Sequence, residues 1–117
     1  EPRLRHVAEL DGIAQSLVPA IPTIVAGDMN ARPGSATWEA LTRVRRDAAA
    51  QAGAPADTFS AVDPHERIDG IFADPRFAVE SCEAVRTPDA VRASDHLPVV
   101  ATLRLPDQPG DGGAQRG

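Results

Sequence analysis

The chain has 117 residues, with 42% hydrophobic and 25% charged positions, enough for one small domain or a part of a larger one. Its net charge is −5, carried by 17 acidic side chains against 12 basic ones, and every basic one is arginine. That balance argues against a sequence-independent nucleic-acid coat and a polybasic membrane anchor, and no apolar run approaches the ~20 residues of a membrane helix.

Aromatic residues are 3% of the chain, namely Trp38, Phe59, Phe72 and Phe77, so a core must rest mainly on Val, Ile, Leu and Ala. Cys82 is the only cysteine, which rules out an intrachain disulfide and leaves the compartment open. The chain opens on Glu1 rather than Met, so an upstream segment is expected.

Residues 3–18 read as a helix, because Leu4, Val7, Ala8, Ile13, Ala14, Leu17 and Val18 recur at three- and four-residue spacing. Pro19 and Pro22 stop it. Thr23-Ile24-Val25-Ala26 reads as a short buried strand that delivers Gly27 and Asp28 at its tip. Arg32-Pro33-Gly34 is a turn. Ser35 is a candidate N-cap for a helix to about Val44, with Trp38, Leu41 and Val44 roughly on one face. Residues 45–57 read as helix end and loop, with Arg43, Arg45 and Arg46 on a solvated helix face.

Thr58-Phe59 is a short strand candidate, and Asp63-Pro64-His65-Glu66 a turn with His65 in solvent. Arg67 to Ala73 and Phe77 to Val85 are further strand candidates. In the latter, Phe77, Val79, Ser81 and Glu83 would share one face, and Cys82 would be a small buried apolar residue. Ala93 to His96 leads into a final strand, Leu97 to Leu105. Residues 106–117 hold Gly110, Gly112, Gly113 and Gly117 with little apolar content and read as a disordered tail. Four strands and two helices make one pair of layers, and a second sheet would need more chain.

Three polar clusters lie beside these strands. In Gly27-Asp28-Met29-Asn30, Asp28 and Asn30 point the same way in an extended segment. Together they offer an acceptor for a proton or metal ion and a donor for a phosphate oxygen; a plain strand-end turn has the same composition. In Arg67-Ile68-Asp69-Gly70-Ile71-Phe72, Asp69 sits in an apolar stretch and needs a partner, either a nearby arginine or a histidine that it orients. In Ser94-Asp95-His96-Leu97-Pro98-Val99, Asp95 is a hard oxygen ligand suited to Mg²⁺ or Mn²⁺, and His96 can donate to or accept from a phosphate. A capped turn would look similar.

In this order and at these separations, the three clusters resemble the C-terminal half of the endonuclease/exonuclease/phosphatase (DNase I-like) superfamily. The resemblance covers residues 1–105. It implies an α/β fold, half of a four-layer sandwich, with a mixed, mostly antiparallel sheet flanked by helices. It implies that Asp28 activates or positions the attacking water, and that Asn30 helps to hold Asp28 and the phosphoryl oxygens, both close to the metal. Asp69 would hydrogen-bond the catalytic histidine, His96, and Asp95 would be a metal-site carboxylate.

The implied reaction is attack of water on a phosphodiester or phosphomonoester, assisted by Mg²⁺ or Mn²⁺. The substrate could be nucleic acid, a phospholipid head group or a small molecule. The family's N-terminal half, which supplies an Asn and a Glu to the principal metal, has no counterpart here. The isolated chain is therefore expected to be inactive without that half as partner, and to expose an apolar sheet face. Gly70 stands where many relatives carry a larger residue, which would weaken packing after Asp69. The alternative is a non-catalytic binding or structural domain of the same fold.

Overall fold

The computed structural model describes residues 5–9, 21–53 and 57–105. Residues 5–9 are helical, and Val7 is buried there; the rest of the helix expected over 3–18, and the tail expected over 106–117, lie outside the described residues. Strand β1 (Ile24–Asp28) comes next, then α1 (Ala36–Thr42), β2 (Arg46–Asp47), α2 (Ala48–Ala52), β3 (Asp69–Ala73), β4 (Ala78–Ala84), α3 (Pro88–Ala93) and β5 (Val99–Arg104). The strands form two sheets rather than one: β1-β3-β2, and β4-β5. All pairings between these strands are antiparallel.

Local chemistry explains α1. The Ser35 side chain accepts a hydrogen bond from the Trp38 N–H at 3.2 Å, satisfying one of the free donors at the helix start. Trp38, Ala40 and Leu41 are then buried against Phe72 of β3, with Val7 in the same cluster and Val25 and Met29 packed on it. Trp38 and Phe72 meet edge to face, with ring centroids 5.0 Å apart, a preferred aromatic geometry. Val44, by contrast, is exposed.

The segment after α1 departs from expectation. In place of a helix end and loop over residues 45–57, Arg46 and Asp47 pair with Ala73 and Phe72 of β3. Helix α2 begins at once and ends at Gly53, whose φ of 73° is the left-handed cap conformation that suits glycine. Arg45 is not on a solvated face. It is 5% exposed, with Nη2 3.4 Å from the Thr23 hydroxyl. Asp47 is buried as well. It accepts from the Trp38 indole N–H at 3.2 Å and from Arg67 at 2.7 Å, and the Arg67 guanidinium lies 5.1 Å from the centre of the Trp38 ring. A buried carboxylate persists because it is paired in this way.

Strand β4 also differs in its facing. Its register against β5 shifts between Val79 and Ser81. The extra residue breaks the expected common face: Val79 is half-buried while Ser81 and Glu83 are exposed, and Cys82, as expected, is buried, 3% exposed. Gly70, where weak packing was expected, is itself buried and faces the rings of Phe72 and Trp38. Helix α3, which the sequence pattern does not announce, starts at the Thr87 cap with Pro88 in its first turn.

Candidate active site

The site is built where β1 and β3 end together. Their register runs from Ile24 opposite Ala73 to Asp28 opposite Asp69. Two carboxylates thus face each other across the strand pair, an arrangement that is unfavourable when both are charged and nothing intervenes. Beyond Asp28 the chain turns at Asn30, whose φ is 49°, a conformation asparagine tolerates better than most residues. The Asn30 backbone N–H donates to Asp28 Oδ1 at 2.7 Å, and the Met29 N–H to the Ile68 carbonyl at 2.8 Å. Asp28 is therefore held by its own turn, with Oδ2 left toward solvent and the side chain about half exposed.

His96 enters between the two carboxylates. The Leu97 N–H donates to the Thr58 carbonyl at 2.8 Å, and the His96 N–H to the Ser94 hydroxyl at 3.1 Å. Phe59 pairs with His96 across this short bridge, and their ring centroids are 5.0 Å apart. His96 Nδ1 lies 2.8 Å from Asp69 Oδ2, and the fully buried Thr58 donates its hydroxyl to the same oxygen. Because a carboxylate only accepts, Nδ1 carries the proton, and Nε2 is directed at Asp28 Oδ2 across 3.8 Å. That gap is too long for a hydrogen bond. The hydrogen bond that His96 donates to Asp69 raises the pKa of His96 above the usual imidazole value; burial opposes the rise, and the charges of Asp69, Asp28 and Asp95 add to it.

Asp28, Asp69 and His96 each bring a ligand-capable atom within 4.8 Å of the others, and they are the group of this kind among the described residues. Asp95 is outside that group. Its carbonyl accepts from the Ala61 N–H at 2.7 Å and its side chain is exposed. What the structure shows of Asn30 at the site is its backbone N–H. Asp69 takes His96 and Thr58 as partners, while Arg67 pairs with Asp47. Thr58 carries no sequence signal of this role, since its partner lies 11 residues away and no spacing rule connects them. An open groove runs beside the site between Ala26-Gly27-Asp28, Gly70-Ile71 and the Leu97-Pro98-Val99 segment.

A histidine oriented by one carboxylate and facing a second is an arrangement that hydrolytic enzymes use for acid–base chemistry. The chain belongs to the endonuclease/exonuclease/phosphatase family, whose model matches residues 2–96. Among solved structures it is similar to an endonuclease/exonuclease/phosphatase from Bacteroides vulgatus, with a TM-score of 0.77 and 30% identity over 88% of this chain and 44% of that one. It is similar to a mannosyl-6-phosphatase from Bacteroides thetaiotaomicron, with a TM-score of 0.74 and 23% identity over 86% of this chain and 45% of that one. An endonuclease/exonuclease/phosphatase from Beutenbergia cavernae has a TM-score of 0.64 and 26% identity over 91% of this chain and 32% of that one. The chain thus spans less than half the length of these structures. No curated protein matched it. The fold is that of the DNase I-like family, and the family acts on phosphate esters. No helix among the described residues is long and apolar enough to cross a membrane.

Proposed function

We propose that this chain carries the acid–base half of a metal-assisted phosphoesterase site. The observation that supports this most directly is the relay Thr58–Asp69–His96, which ends 3.8 Å from Asp28 Oδ2. A water or a phosphoryl oxygen placed at that gap meets an acceptor on one side and a charged N–H donor on the other. Asp28 takes the proton as water attacks phosphorus. The new P–O bond forms, the ester P–O bond breaks, and the departing alkoxide takes a proton from solvent. The His96 imidazolium donates from Nε2 to a phosphoryl oxygen and stabilises the charge that develops there. Asp69 accepts from Nδ1–H and so orients the imidazolium with its Nε2–H outward, and Thr58 keeps Asp69 in place. Asn30 fixes Asp28 through its backbone and stands beside the phosphoryl group.

The donor set suits a hard cation. Mg²⁺ is bound through one or two carboxylates with several waters retained, and Asp28 Oδ2 is free for that purpose. Asp69 Oδ2 already has two partners, and the raised pKa of His96 favours its charged form over a metal ligand. Asp28 would therefore hold Mg²⁺ or Mn²⁺, with Asp95 adding an oxygen directly or through water. Bound there, the ion would neutralise charge on the phosphate. The chain spans less than half of its structural relatives, so full turnover would draw on the remainder of the domain.

The test is hydrolysis of p-nitrophenyl phosphate and its bis-ester by the full-length protein, with and without Mg²⁺. His96→Ala and Asp28→Asn should each lower kcat by roughly 10²–10⁴-fold. Variants that retain wild-type turnover would refute the assignment. A protein that binds phosphate esters without cleaving them would be a non-catalytic member of the fold.

A further inference from the structure

The residues flanking His96 form a row that the acid–base chemistry does not use. Phe59 is bridged antiparallel to His96 on one side and to Glu66 on the other. Residues directly opposite in antiparallel pairs share a face, with Cβ atoms about 5 Å apart. His96, Phe59 and Glu66 therefore project in sequence across the surface beside the site. The far end is polar. Glu66 Oε1 lies 3.3 Å from Arg32, and Glu66 Oε2 lies 3.6 Å from His65 Nε2. The His65 ring is 6.1 Å from that of Phe59, and its Nδ1 is 2.8 Å from the Asp63 carbonyl. Arg32 follows Asn30 by two residues in the chain, so the turn that carries Asp28 and Asn30 also carries this arginine. Both Arg32 and His65 are more than half exposed.

Resting on the phosphoesterase reading above, we infer that this row is the subsite for a polyhydroxylated leaving group, and that the substrate is a sugar or polyol phosphate. Phe59 offers an apolar face for the C–H side of a sugar ring next to the phosphate held at His96. One ring's breadth further out, Glu66 accepts hydrogen bonds from hydroxyls, while Arg32 and His65 donate to them. An apolar floor with a few convergent polar groups is the usual composition of a small-molecule site.

The charge pattern favours a small ester over a polymer. Arg32 is matched by Glu66, so the row has no free cation among these residues for the next phosphate of a polynucleotide, which binds largely through such charges. A lipid surface likewise calls for an unmatched basic patch.

The experiment compares kcat/KM of the full-length protein, with Mg²⁺ supplied, for glucose 6-phosphate, methyl phosphate and a single-stranded deoxyoligonucleotide. Wild type should prefer glucose 6-phosphate over methyl phosphate. Glu66→Gln and Arg32→Ala should each reduce that preference about tenfold, the size of one hydrogen bond to a charged group. The loss should fall mainly in KM. Arg32 is 68% exposed, so its removal tests the row without threatening the fold if Glu66→Gln proves unstable. A preference unmoved by both variants, or faster cleavage of the oligonucleotide, overturns the inference. His96→Ala separates the two levels. If it abolishes turnover while the preference is unmoved by the row variants, only the subsite falls. If it leaves turnover intact, the site assignment falls and the subsite with it.

Discussion

Replacing Gly70 with alanine tests how the core holds the site. Strand preference alone predicts a gain, since glycine inside a strand costs roughly 0.5–1 kcal/mol relative to alanine. The packing predicts the reverse. A Cβ at Gly70 would lie 2.6 Å from Phe72 Cε1, 2.8 Å from Cζ and 3.2 Å from Trp38 Cη2. Phe72 is 0% exposed and Trp38 4% exposed, and the Trp38 indole is tied to Asp47. Both rings are packed within the core cluster. Overpacking of this kind costs about 1–3 kcal/mol, which exceeds the strand gain. We expect Gly70→Ala to lower the denaturant midpoint by an amount equal to about 1–2 kcal/mol at unchanged slope, monitored by fluorescence of the single tryptophan. Phe72→Leu removes ring atoms that the new methyl would strike. The double variant Gly70→Ala/Phe72→Leu should therefore lose less than the sum of the single losses. A Gly70→Ala protein as stable as wild type, or strictly additive losses in the cycle, would refute the reasoning.

Asp69→Asn should lower the pKa of His96, because the raised value derives chiefly from the Asp69 hydrogen bond; a titration of the ring protons by NMR reads this directly. The raised folded value sets the sign for stability. The interaction contributes fully below the unfolded imidazole pKa of about 6.5 and fades as pH rises through the folded value, so wild type and Asp69→Asn should converge in stability at alkaline pH. Thr58→Val keeps the shape but removes the hydroxyl that holds Asp69, and should cost about 1–2 kcal/mol in denaturant unfolding. Asp74 caps the turn before β4, accepting from the Arg76 backbone N–H and from its guanidinium at 2.8–2.9 Å. The Arg76 side-chain hydrogen bond holds the Asp74 carboxyl below the usual range. Its contribution is present above the ordinary carboxylate pKa and is lost as pH falls through the lowered value. Asp74→Asn should cost no more than about 1 kcal/mol at neutral pH, since the pair is near the surface, and nothing in strong acid.

The positions of Asp28 and His96 beside strand ends were legible because apolar runs stop beside each of them, whereas Asp69 was read inside its strand, which in fact begins with it. Short-range chemistry was legible too, as in the Ser35 cap and the Arg32-Pro33-Gly34 turn. The features that escaped are set by partners far away in sequence. Arg46 and Asp47 are a strand only because β3 offers its second edge, and nothing in Arg45-Arg46-Asp47 announces that Arg45 and Asp47 are buried. The bulge in β4 takes Val79 off the face that Ser81 and Glu83 share, which strict alternation cannot anticipate, whereas the burial of Cys82 was expected. Thr58 matters through an atom of Asp69, a contact made by the bridge between Thr58-Phe59 and His96-Leu97. Asp95 is a different case. It stands next to His96 in sequence, yet its carboxylate is outside the cluster that Asp28, Asp69 and His96 form.

The core and the site are set by one strand. In β3, Gly70 and Phe72 face the Trp38 cluster, so by alternation Asp69 and Ile71 face the other side. A slip of one residue would bury Asp69 among the aromatic rings and turn Phe72 toward solvent. The burial of Phe72 thus selects the register that aligns Asp69 with Asp28. That alignment sets a carboxylate on either side of the His96 ring, whose charged form is favoured chiefly by its hydrogen bond to Asp69, with the charges of Asp69 and Asp28 adding to it. The geometry at His96 is in this sense a consequence of hydrophobic packing on the opposite face: the apolar residues choose the register, and the register determines where the charges meet.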